Sequence, residues 1–569
     1  MFLSSLYAIF CKGYIRIVSS ILGGIFMKKY FKFLLLSLFL FLCAFFVTPS
    51  SSLHASTDSF YYTCTEGEQK DGSYIIKISK DDLSYGCKNI SWALTTAQDN
   101  ASKKHPYIIV VEPGTYHLDR CLYAYSYTTL YVRGVTFISD YDANMFKIGH
   151  GGMAGDNQKG YYYKDITIDG GTWDVNKKAR VAIKGAHTSN FTIRNATVTN
   201  STDSHFVEVA ALDGFTVENC VFKDQIVSAK RIKKKAFAIE AIQIDILIDS
   251  HFKGYAYEDL TCKNITIKNN KFQNVCRGVG AHTQWNGKTH NNIYIGSNTF
   301  ENLKSVAIEC LNFTSCVIEK NTLKKCGRGI TVWSYTPTNG VFSSKKTEAP
   351  YTLNAETIVR NNTMSIFYTD ISQPTGIDIQ GYTMTKTTKQ NGTTFKRGFY
   401  GIKNVSIYDN KITSKGNGIT IRNAREIKAY KNKITCTQKA INFYGMVVSD
   451  ACKQITLTSN TISSKAKAGI VVYKGAKASK LDKNNISGSC EYGIWISEAN
   501  VSSITNNTIK KPKYVGIRVG QKGSVSNIKN NTIRYGASQY GILSFGGSHI
   551  KNISGNHISN IGGQKIVKR

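Results

Sequence analysis

The sequence has few acidic residues and few charges of either sign. Only 19% of its 569 residues are charged, and 38 Asp and Glu stand against 72 Lys and Arg, a formal net charge of +34. With 42% hydrophobic residues, the chain is too apolar to be intrinsically disordered. The excess of positive charge fits either a basic surface that adheres to an anionic cell wall or a preference for acidic polymers as ligands.

Sequence signatures of nucleic-acid binding and of metal binding are absent. No helix-turn-helix, RNP motif or zinc-ligand spacing occurs, so nucleic acid is not expected as a partner. The 14 cysteines do not form Cys-x-x-Cys pairs, and we expect no metal and no other cofactor. Several are expected in the core as small apolar residues. One or two disulfides, such as Cys64 with Cys87, remain open for an exported chain.

The N-terminus has the pattern of a targeting segment. Basic residues around Lys28 precede an apolar run from Phe33 to Val47, and the small residue Ala55 follows a Pro/Ser patch. This pattern predicts that residues 1–55 are an upstream extension and a signal peptide. The mature protein is then secreted or extracellular, with cell-wall association open. An uncleaved membrane anchor is the alternative; after cleavage no stable membrane insertion is expected.

The remainder of the chain is dominated by a repeat. The pattern Ile-x-x-Asn-x-(Ile/Phe/Leu) recurs mostly every 22 to 28 residues from about residue 165. Gly171, Ala196 and Cys220 occupy the Asn position in earlier turns. Asn tolerates the left-handed backbone of a sharp corner, and a stacked Asn amide can bond the neighbouring coil. The pattern is visible at ten asparagines: Asn270, Asn298, Asn321, Asn410, Asn432, Asn460, Asn484, Asn507, Asn531 and Asn556.

Short β-branched runs follow each corner, which favours a coiled sheet over other repeat folds. The Leu-x-Leu framework of leucine-rich repeats and the 3.6-residue periodicity of helical repeats are both missing. The sequence therefore predicts an all-β, right-handed parallel β-helix of about a dozen coils with a short N-terminal helical cap. We assign residues 56–164 to the cap region, 165–404 to coils with loop insertions and a candidate groove, and 405–569 to regular C-terminal coils that serve as a structural spine.

The cap carries a family resemblance. A helical stretch from Ile90 to Ala97 is followed by the apolar strand 107–111 and the motif Pro113-Gly-Thr-Tyr116. This arrangement resembles the N-terminal cap of pectate-lyase-like β-helix proteins, and the likeness extends over residues 75–565. It implies the fold but not one activity, because that superfamily includes hydrolases, lyases, esterases, epimerases and phage tailspikes. The Asp cluster of calcium-dependent pectate lyases and the motifs of polygalacturonases are absent.

Candidate site residues lie on one outward strand face in the middle of the chain. Aligning the strand after each corner by its inward apolar residues places Glu208, Gln243 and Glu309 in one row. Asp245 and His282 share a second row, and later coils place Asp378, Thr420, Asn442, Val471 and Trp495 at the Glu309 position. Neighbouring coils are about 4.8 Å apart, so such rows can follow a sugar chain.

We expect catalytic roles for Glu208, Asp245, His282 and Glu309. Six further residues are expected to bind substrate: His205, Glu240, Gln243, Arg277, Trp333 and Lys184. Trp285, in a loop, is a further stacking candidate. The insertions 247–263, 284–292, 334–357 and 381–404 leave the same end of this strand and would build a wall over the groove.

The leading hypothesis is an exported glycoside hydrolase that uses Glu208 and Asp245, about 8 Å apart by strand geometry. The alternative is a metal-independent lyase or uronate epimerase that uses His282 with Arg277 on an anionic glycan. A non-catalytic adhesin that holds glycan by charge and stacking is the third reading. In each case the partner is a polysaccharide. The oligomeric state remains open.

Overall fold

The structure, a computed structural model, describes residues 60–568 apart from eleven short gaps. The gaps are 81–86, 151–156, 248–251, 253, 284–286, 335–350, 368, 370–372, 388–393, 440–441 and 537. The signal segment 1–55 and the loop residue Trp285 lie outside the described residues. No helix in the described part of the chain is long and apolar enough to cross a membrane.

The described chain winds through three parallel ladders of strands, here named sheets 1, 2 and 3. Each coil passes from sheet 2 through sheet 3 to sheet 1 and then returns to sheet 2. Sheet 1 contains Leu122–Ala124, Phe146–Ile148, the first halves of Ile183–Arg194 and Val207–Glu218, Glu240–Asp245, Arg277–Gly280, Val306–Leu311, Arg328–Trp333, Thr375–Gln380, Asn417–Arg422, Tyr444–Ser449, Ala468–Tyr473, Tyr492–Ser497, Val515–Gly520, Tyr540–Ser544 and Gln564–Lys568.

Sheets 2 and 3 complete the walls of the coil. Sheet 2 contains Tyr74–Ile78, Tyr107–Val111, Thr128–Tyr131, Tyr163–Asp169, the second halves of the two long strands, Lys263–Lys268, His290–Gly296, Phe313–Glu319, Leu353–Arg360, Ile402–Tyr408, Ala424–Tyr430, Lys453–Thr458, Lys477–Asp482, Asn500–Thr505, Ser524–Lys529 and His549–Ser554. Sheet 3 contains Gly114–Leu118, Val135–Ser139, Thr172–Asp174, Thr197–Thr199, Val221–Lys223, Lys271–Gln273, Thr299–Glu301, Thr322–Cys326, Thr363–Ile366, Lys411–Ser414, Lys433–Cys436, Thr461–Ser464, Asn485–Ser487, Thr508–Lys510, Thr532–Gly536 and His557–Ile561.

The remaining elements are few. The predicted cap helix spans Lys88–Asn100, and shorter helices span Phe60–Thr63 and Ala229–Lys234. Strand Gly67–Glu68 pairs antiparallel with Tyr74–Ile78, and Thr383–Thr387 forms a hairpin with Thr394–Gly398.

The β-helix prediction is confirmed, and the solenoid is longer than the expected dozen coils. Sheet 3 alone contains 16 strands, because parallel pairing begins at Tyr74 with the strand at Tyr107. The earliest coils were missed because they lack the corner asparagine. Parallel crossovers within one sheet are right-handed in almost all proteins, which gives the expected hand.

One apolar core runs along the interior. Successive coils place like side chains above one another, as in the stacked rings of Phe222, Phe272 and Phe300 at 5.1 and 4.7 Å. Eleven of the twelve cysteines between Cys64 and Cys490 are buried, as expected, and all twelve are free thiols. The Cys64–Cys87 disulfide does not form; the Cys87 thiol instead donates to the His117 carbonyl.

The corner asparagines form a continuous ladder. In Asn460, for example, the backbone N–H and Nδ2 both donate to Oδ1 of Asn484 at 3.0 Å, and Nδ2 also donates to the Ala429 carbonyl at 2.9 Å. The predicted bonding between coils is thus confirmed. The prediction that Asn itself adopts the left-handed backbone conformation is wrong. The residue before it does so, such as Ser459 with a φ of 56°. In the coils that contain a corner Asn, its contribution is the side-chain amide.

We predict that Asn460→Ala destabilises the protein by about 1–3 kcal/mol, because two donors of Asn432 lose their buried acceptor. The midpoint of urea unfolding, followed by circular dichroism, measures the loss. Asn442→Ala, at an exposed position outside the ladder, is the matched control. Equal midpoints for the two variants would contradict a structural role for the ladder.

Candidate functional site

The outward positions of sheet 1 form the expected rows. Strand register aligns Lys184, Glu208, Gln243, Gly280 and Glu309 as successive Cα partners. This series, named the central row, continues through Thr331, Asp378, Thr420, Val447, Val471, Trp495, Arg518 and Leu543. Seven predicted members of this row are therefore confirmed. The prediction of Asn442 is wrong. Seven residues separate Cys436, where the preceding sheet 3 strand ends, from Tyr444, where the sheet 1 strand begins, and Val447 takes the position.

Two flanking rows complete the candidate site. Glu240 pairs with Arg277 three residues before the central row, and His205 lies in register with them one coil earlier, because Val207 pairs with Ile242. Asp245 lies two residues after the central row, in line with His282, which follows Gly280 by the same interval. The four predicted insertions all follow the carboxyl ends of sheet 1 strands. Register therefore brings these predicted residues onto one surface.

Several of these outward residues are buried. Asp245 and Glu240 are 0% exposed, and Gln243 is 1% exposed. Beyond Asp245, Leu247 and Phe252 pack on small residues of sheet 1. Asp245 and Glu240 form the buried floor of the site, while the side chains of Arg277 and His282 keep partial exposure, 17% and 22%.

Glu240 is the centre of an ionic cluster, named the Glu240 cluster, with His205, Arg277, His282 and Glu309. Its carboxylate accepts from Arg277 Nη1 at 2.8 Å and from His282 Nδ1 at 2.9 Å. His205 Nδ1 donates to the Glu240 carbonyl at 2.9 Å, and the two imidazole rings stack at 5.7 Å. The sequence assigned Glu240 only to substrate binding. Its alignment with His205 and Arg277 was the available signal for a central role.

The cluster separates the pKa values of two neighbouring carboxyl groups. Burial would raise the pKa of Glu240, but the His282 hydrogen bond and the Arg277 charge outweigh it and hold that pKa well below its ordinary value. Burial raises the pKa of Glu309 to about 7, although its Oε2 also contacts Arg277 Nη1. Environments that push paired groups apart in this way are typical of acid–base sites.

The two histidines respond to opposite influences. Burial lowers the pKa of His205. Burial acts in the same direction on His282, but the hydrogen bond and charge of Glu240 outweigh it and raise the pKa of His282. Because His282 Nδ1 donates to Glu240, Nε2 is the nitrogen that gains and loses the proton in this arrangement.

Glu208 and Lys184 form a separate ion pair in the central row. Lys184 Nζ lies 2.7 Å from Glu208 Oε2 and 4.2 Å from the centre of the Phe252 ring. The side chains of both ionic residues are 12% exposed. This ion pair therefore lies on the same surface as the Glu240 cluster and forms one edge of it.

Sheet 1 also concentrates buried polar atoms that lack a hydrogen-bond partner. Twelve such side-chain atoms occur among the described residues, and six lie on sheet 1 strands between Glu240 and Arg422. Buried polar groups are ordinarily satisfied, so this face is suited to a polar ligand. The six atoms are Gln243 Oε1, Arg277 Nε, Trp333 Nε1, Asp378 Oδ1, Thr420 Oγ1 and Arg422 Nε.

One group of side chains has metal-ligand spacing. His205, Glu240 and His282 can each offer one ligand atom, and these atoms lie within 4.8 Å of one another. However, Arg277 Nη1 is 2.8 Å from the Glu240 carboxylate, so a fixed positive charge already occupies that side of the group. The donor set is therefore poorly suited to a second cation.

Fold and site together define this chain as a right-handed parallel β-helix protein with a charged cluster on an outward ladder. The family model of the periplasmic copper-binding protein NosD matches residues 375–566, about a third of the chain. The Glu240 cluster lies outside the matched residues. The resemblance to pectate-lyase-like proteins is confirmed at the level of the fold.

The chain is also similar to the plasmin and fibronectin-binding protein A of Streptococcus pneumoniae. The two are 26% identical over 230 residues, which are 36% of this chain and 32% of that protein. The chain thus spans about a third of that relative's length.

Two solved structures are similar to this chain. The S. pneumoniae surface adhesin PfbA has a TM-score of 0.43 and 18% identity, covering 85% of this chain and 100% of its own. The tailspike of E. coli bacteriophage HK620, in complex with pentasaccharide, has a TM-score of 0.45 and 10% identity, covering 83% and 76%.

Asp245 generates a prediction about pH. Burial raises its pKa to about 7, so the folded state binds the proton of the Asp245 carboxyl group more tightly than the unfolded state does. The stability that this protonation contributes is therefore lost as pH rises towards 7. Between pH 5 and pH 8 the free energy of unfolding of the wild type should fall by on the order of 2–3 kcal/mol more than that of Asp245→Asn. Thermal unfolding midpoints at the two pH values measure the difference.

Asp482→Asn is the control with the opposite sign. Hydrogen bonds from Thr505 and Asn506 outweigh burial and lower the pKa of this sheet 2 carboxylate. This variant should therefore be less stable than the wild type at pH 8. If Asp245→Asn behaved in the same way, a neutral buried Asp245 would be excluded.

Proposed function

We propose that this protein is an exported polysaccharide lyase that cleaves a uronate-containing glycan lying along sheet 1. The observation that supports the proposal is the Glu240 cluster. It places a histidine oriented by a carboxylate, an arginine and a carboxyl group of raised pKa side by side. The net charge of +34 favours an anionic substrate.

Each group matches one requirement of β-elimination. Arg277 binds the uronate carboxylate and stabilises the negative charge that develops when the α proton leaves. Arg277 Nε has no hydrogen-bond partner among the described residues and can donate to that carboxylate. His282 Nε2 takes the α proton, and Glu240 holds the ring through Nδ1.

Glu309 completes the elimination as the proton donor to the leaving group. The electron pair of the broken C–H bond forms a carbon–carbon double bond, and the glycosidic C–O bond at the β carbon breaks. Glu309, whose raised pKa keeps a fraction protonated near neutral pH, gives its proton to the leaving oxygen. The products are an unsaturated uronate end and a free hydroxyl end.

We prefer a lyase to the glycoside hydrolase that leads the sequence hypotheses, because the candidate carboxyl groups are either too far apart or buried. A hydrolase needs two carboxyl groups about 5–9.5 Å apart that both reach the sugar. Glu208 and Glu309 are three coils apart in the central row, about 14 Å at about 4.8 Å per coil. Glu240 and Asp245 are fully buried.

We expect ultraviolet absorbance from the unsaturated product when the protein acts on polyuronates, with or without a chelator. Glu309→Gln and His282→Gln should each lower the rate by about 10²–10⁴-fold, since both keep a hydrogen bond but cannot transfer the proton. Glu319→Gln is the matched control, because this buried glutamate pairs with Arg360 on sheet 2. New reducing ends without absorbance would sink the proposal and favour a hydrolase.

The pH profile gives an independent prediction. The base His282 must be deprotonated, so the rate rises with pH through its raised pKa. The acid Glu309 must be protonated, so the rate falls above about 7. We expect a bell-shaped kcat/KM profile with its maximum near neutral pH. The residual activity of Glu309→Gln should lack the alkaline fall; retention of that fall would remove Glu309 from the acid role.

A second candidate function is surface adhesion, which the similarity to the streptococcal plasmin and fibronectin-binding protein favours. Such a protein sits at the cell surface and binds glycan or host protein without cleaving it. Binding of polyuronates without product release, in an assay sensitive to both reducing ends and ultraviolet absorbance, would select this function.

A further inference from the structure

We infer that the C-terminal part of sheet 1 carries a second glycan-binding site, separate from the Glu240 cluster. It is formed by Tyr492, Trp495, Tyr514, Arg518 and Phe545, here named the aromatic platform. The inference rests on the proposed function only for the class of ligand, an anionic polysaccharide. It does not require that the ligand be cleaved.

The aromatic platform is built around Arg518. Its Cζ lies 4.7 Å from the ring centre of Tyr492, 5.2 Å from that of Trp495 and 4.8 Å from that of Phe545. Trp495 and Arg518 are Cα partners in the central row, so strand register places the indole and the guanidinium on the same outward face. Both side chains keep partial exposure.

A shallow cavity opens beside this arrangement. Its volume is about 320 Å³, and Tyr492, Tyr514, Arg518 and Phe545 are among its lining residues. Aromatic rings with a polar tip suit a ligand that has both apolar and polar faces. A sugar ring, with C–H groups on its faces and hydroxyls at its edge, meets that description.

The surrounding charge indicates an acidic sugar. Lys513 Nζ lies 4.6 Å from the Tyr514 ring centre, and Lys467 Nζ lies 5.0 Å from that of Trp495. Neither lysine nor Arg518 forms an ion pair with a carboxylate in the described part of the chain. Glu491 is the nearby acid and acts on Lys513 only through space. The platform thus offers three cations that lack close carboxylate partners, which is complementary to an anionic chain.

The position of the aromatic platform gives it a role distinct from cleavage. Six coils separate Glu309 from Trp495 in the central row, a distance of about 29 Å at about 4.8 Å per coil. A long polymer can contact both places, whereas a short oligosaccharide at the Glu240 cluster cannot. The platform therefore adds affinity for long chains.

The test measures binding of the full-length protein carrying Glu309→Gln, so that cleavage does not intervene. The probes are polygalacturonate and alginate, with dextran as the neutral polymer and duplex DNA as a polyanion that is not a uronate. Adding Trp495→Ala or Arg518→Gln should weaken polyuronate binding at least tenfold in calorimetry. Trp92→Ala, which removes an exposed indole on the cap helix, should leave binding unchanged.

Arg518→Lys provides a second variant, because it keeps the charge but loses the planar stacking, and it should also weaken binding. Unchanged thermal midpoints establish that these variants fold. Unaltered affinity in all platform variants would overturn the inference, as would an equal loss of DNA binding, which indicates a general cation patch. Loss of polyuronate binding in a protein whose wild type releases no product would uphold the platform while rejecting the lyase.

Discussion

Hydrogen bonding between parallel coils is the constraint on which the rest of this structure depends. Backbone pairing holds successive strands about 4.8 Å apart in fixed register, so any residue type repeated once per coil becomes a continuous row. The corner asparagines use this directly, since each amide satisfies backbone groups of the neighbouring coils that the turn would otherwise leave unpaired. The ladder stabilises the corner, and the corner keeps the three sheets aligned.

The same register that builds a regular solenoid also assembles the candidate site. Residues far apart in sequence, such as His205, Glu240 and Arg277, become neighbours because each stands at the same place in its coil. Rigid strands hold these groups without the mobility of loops. Burial on this face then changes the electrostatics. It raises the pKa values of Glu309 and Asp245, so that both carboxyl groups hold protons near neutral pH, while Glu240 stays ionised through its hydrogen bonds.

Sheet 1 changes character along its length. The central row carries charged residues at Lys184, Glu208 and Glu309 and polar ones at Asp378 and Thr420. It is apolar at Val447 and Val471, and then aromatic and cationic at Trp495 and Arg518. A solenoid permits this because each coil contacts mainly its neighbours. The C-terminal coils, expected from sequence to act only as a spine, thus present a face of their own.

The repeat of β-branched runs and corner asparagines determined the fold and most of the central row, because strand alternation and a fixed coil length leave little freedom in register. It could not determine the first coils, which lack the asparagine, nor Val447, where the length of a turn decides the alignment. Burial of Asp245, the centrality of Glu240 and the divided pKa values of Glu240 and Glu309 were decided only by tertiary structure. These properties depend on which side chains the folded coils bury and on the distances between charges, and the period of the repeat specifies neither.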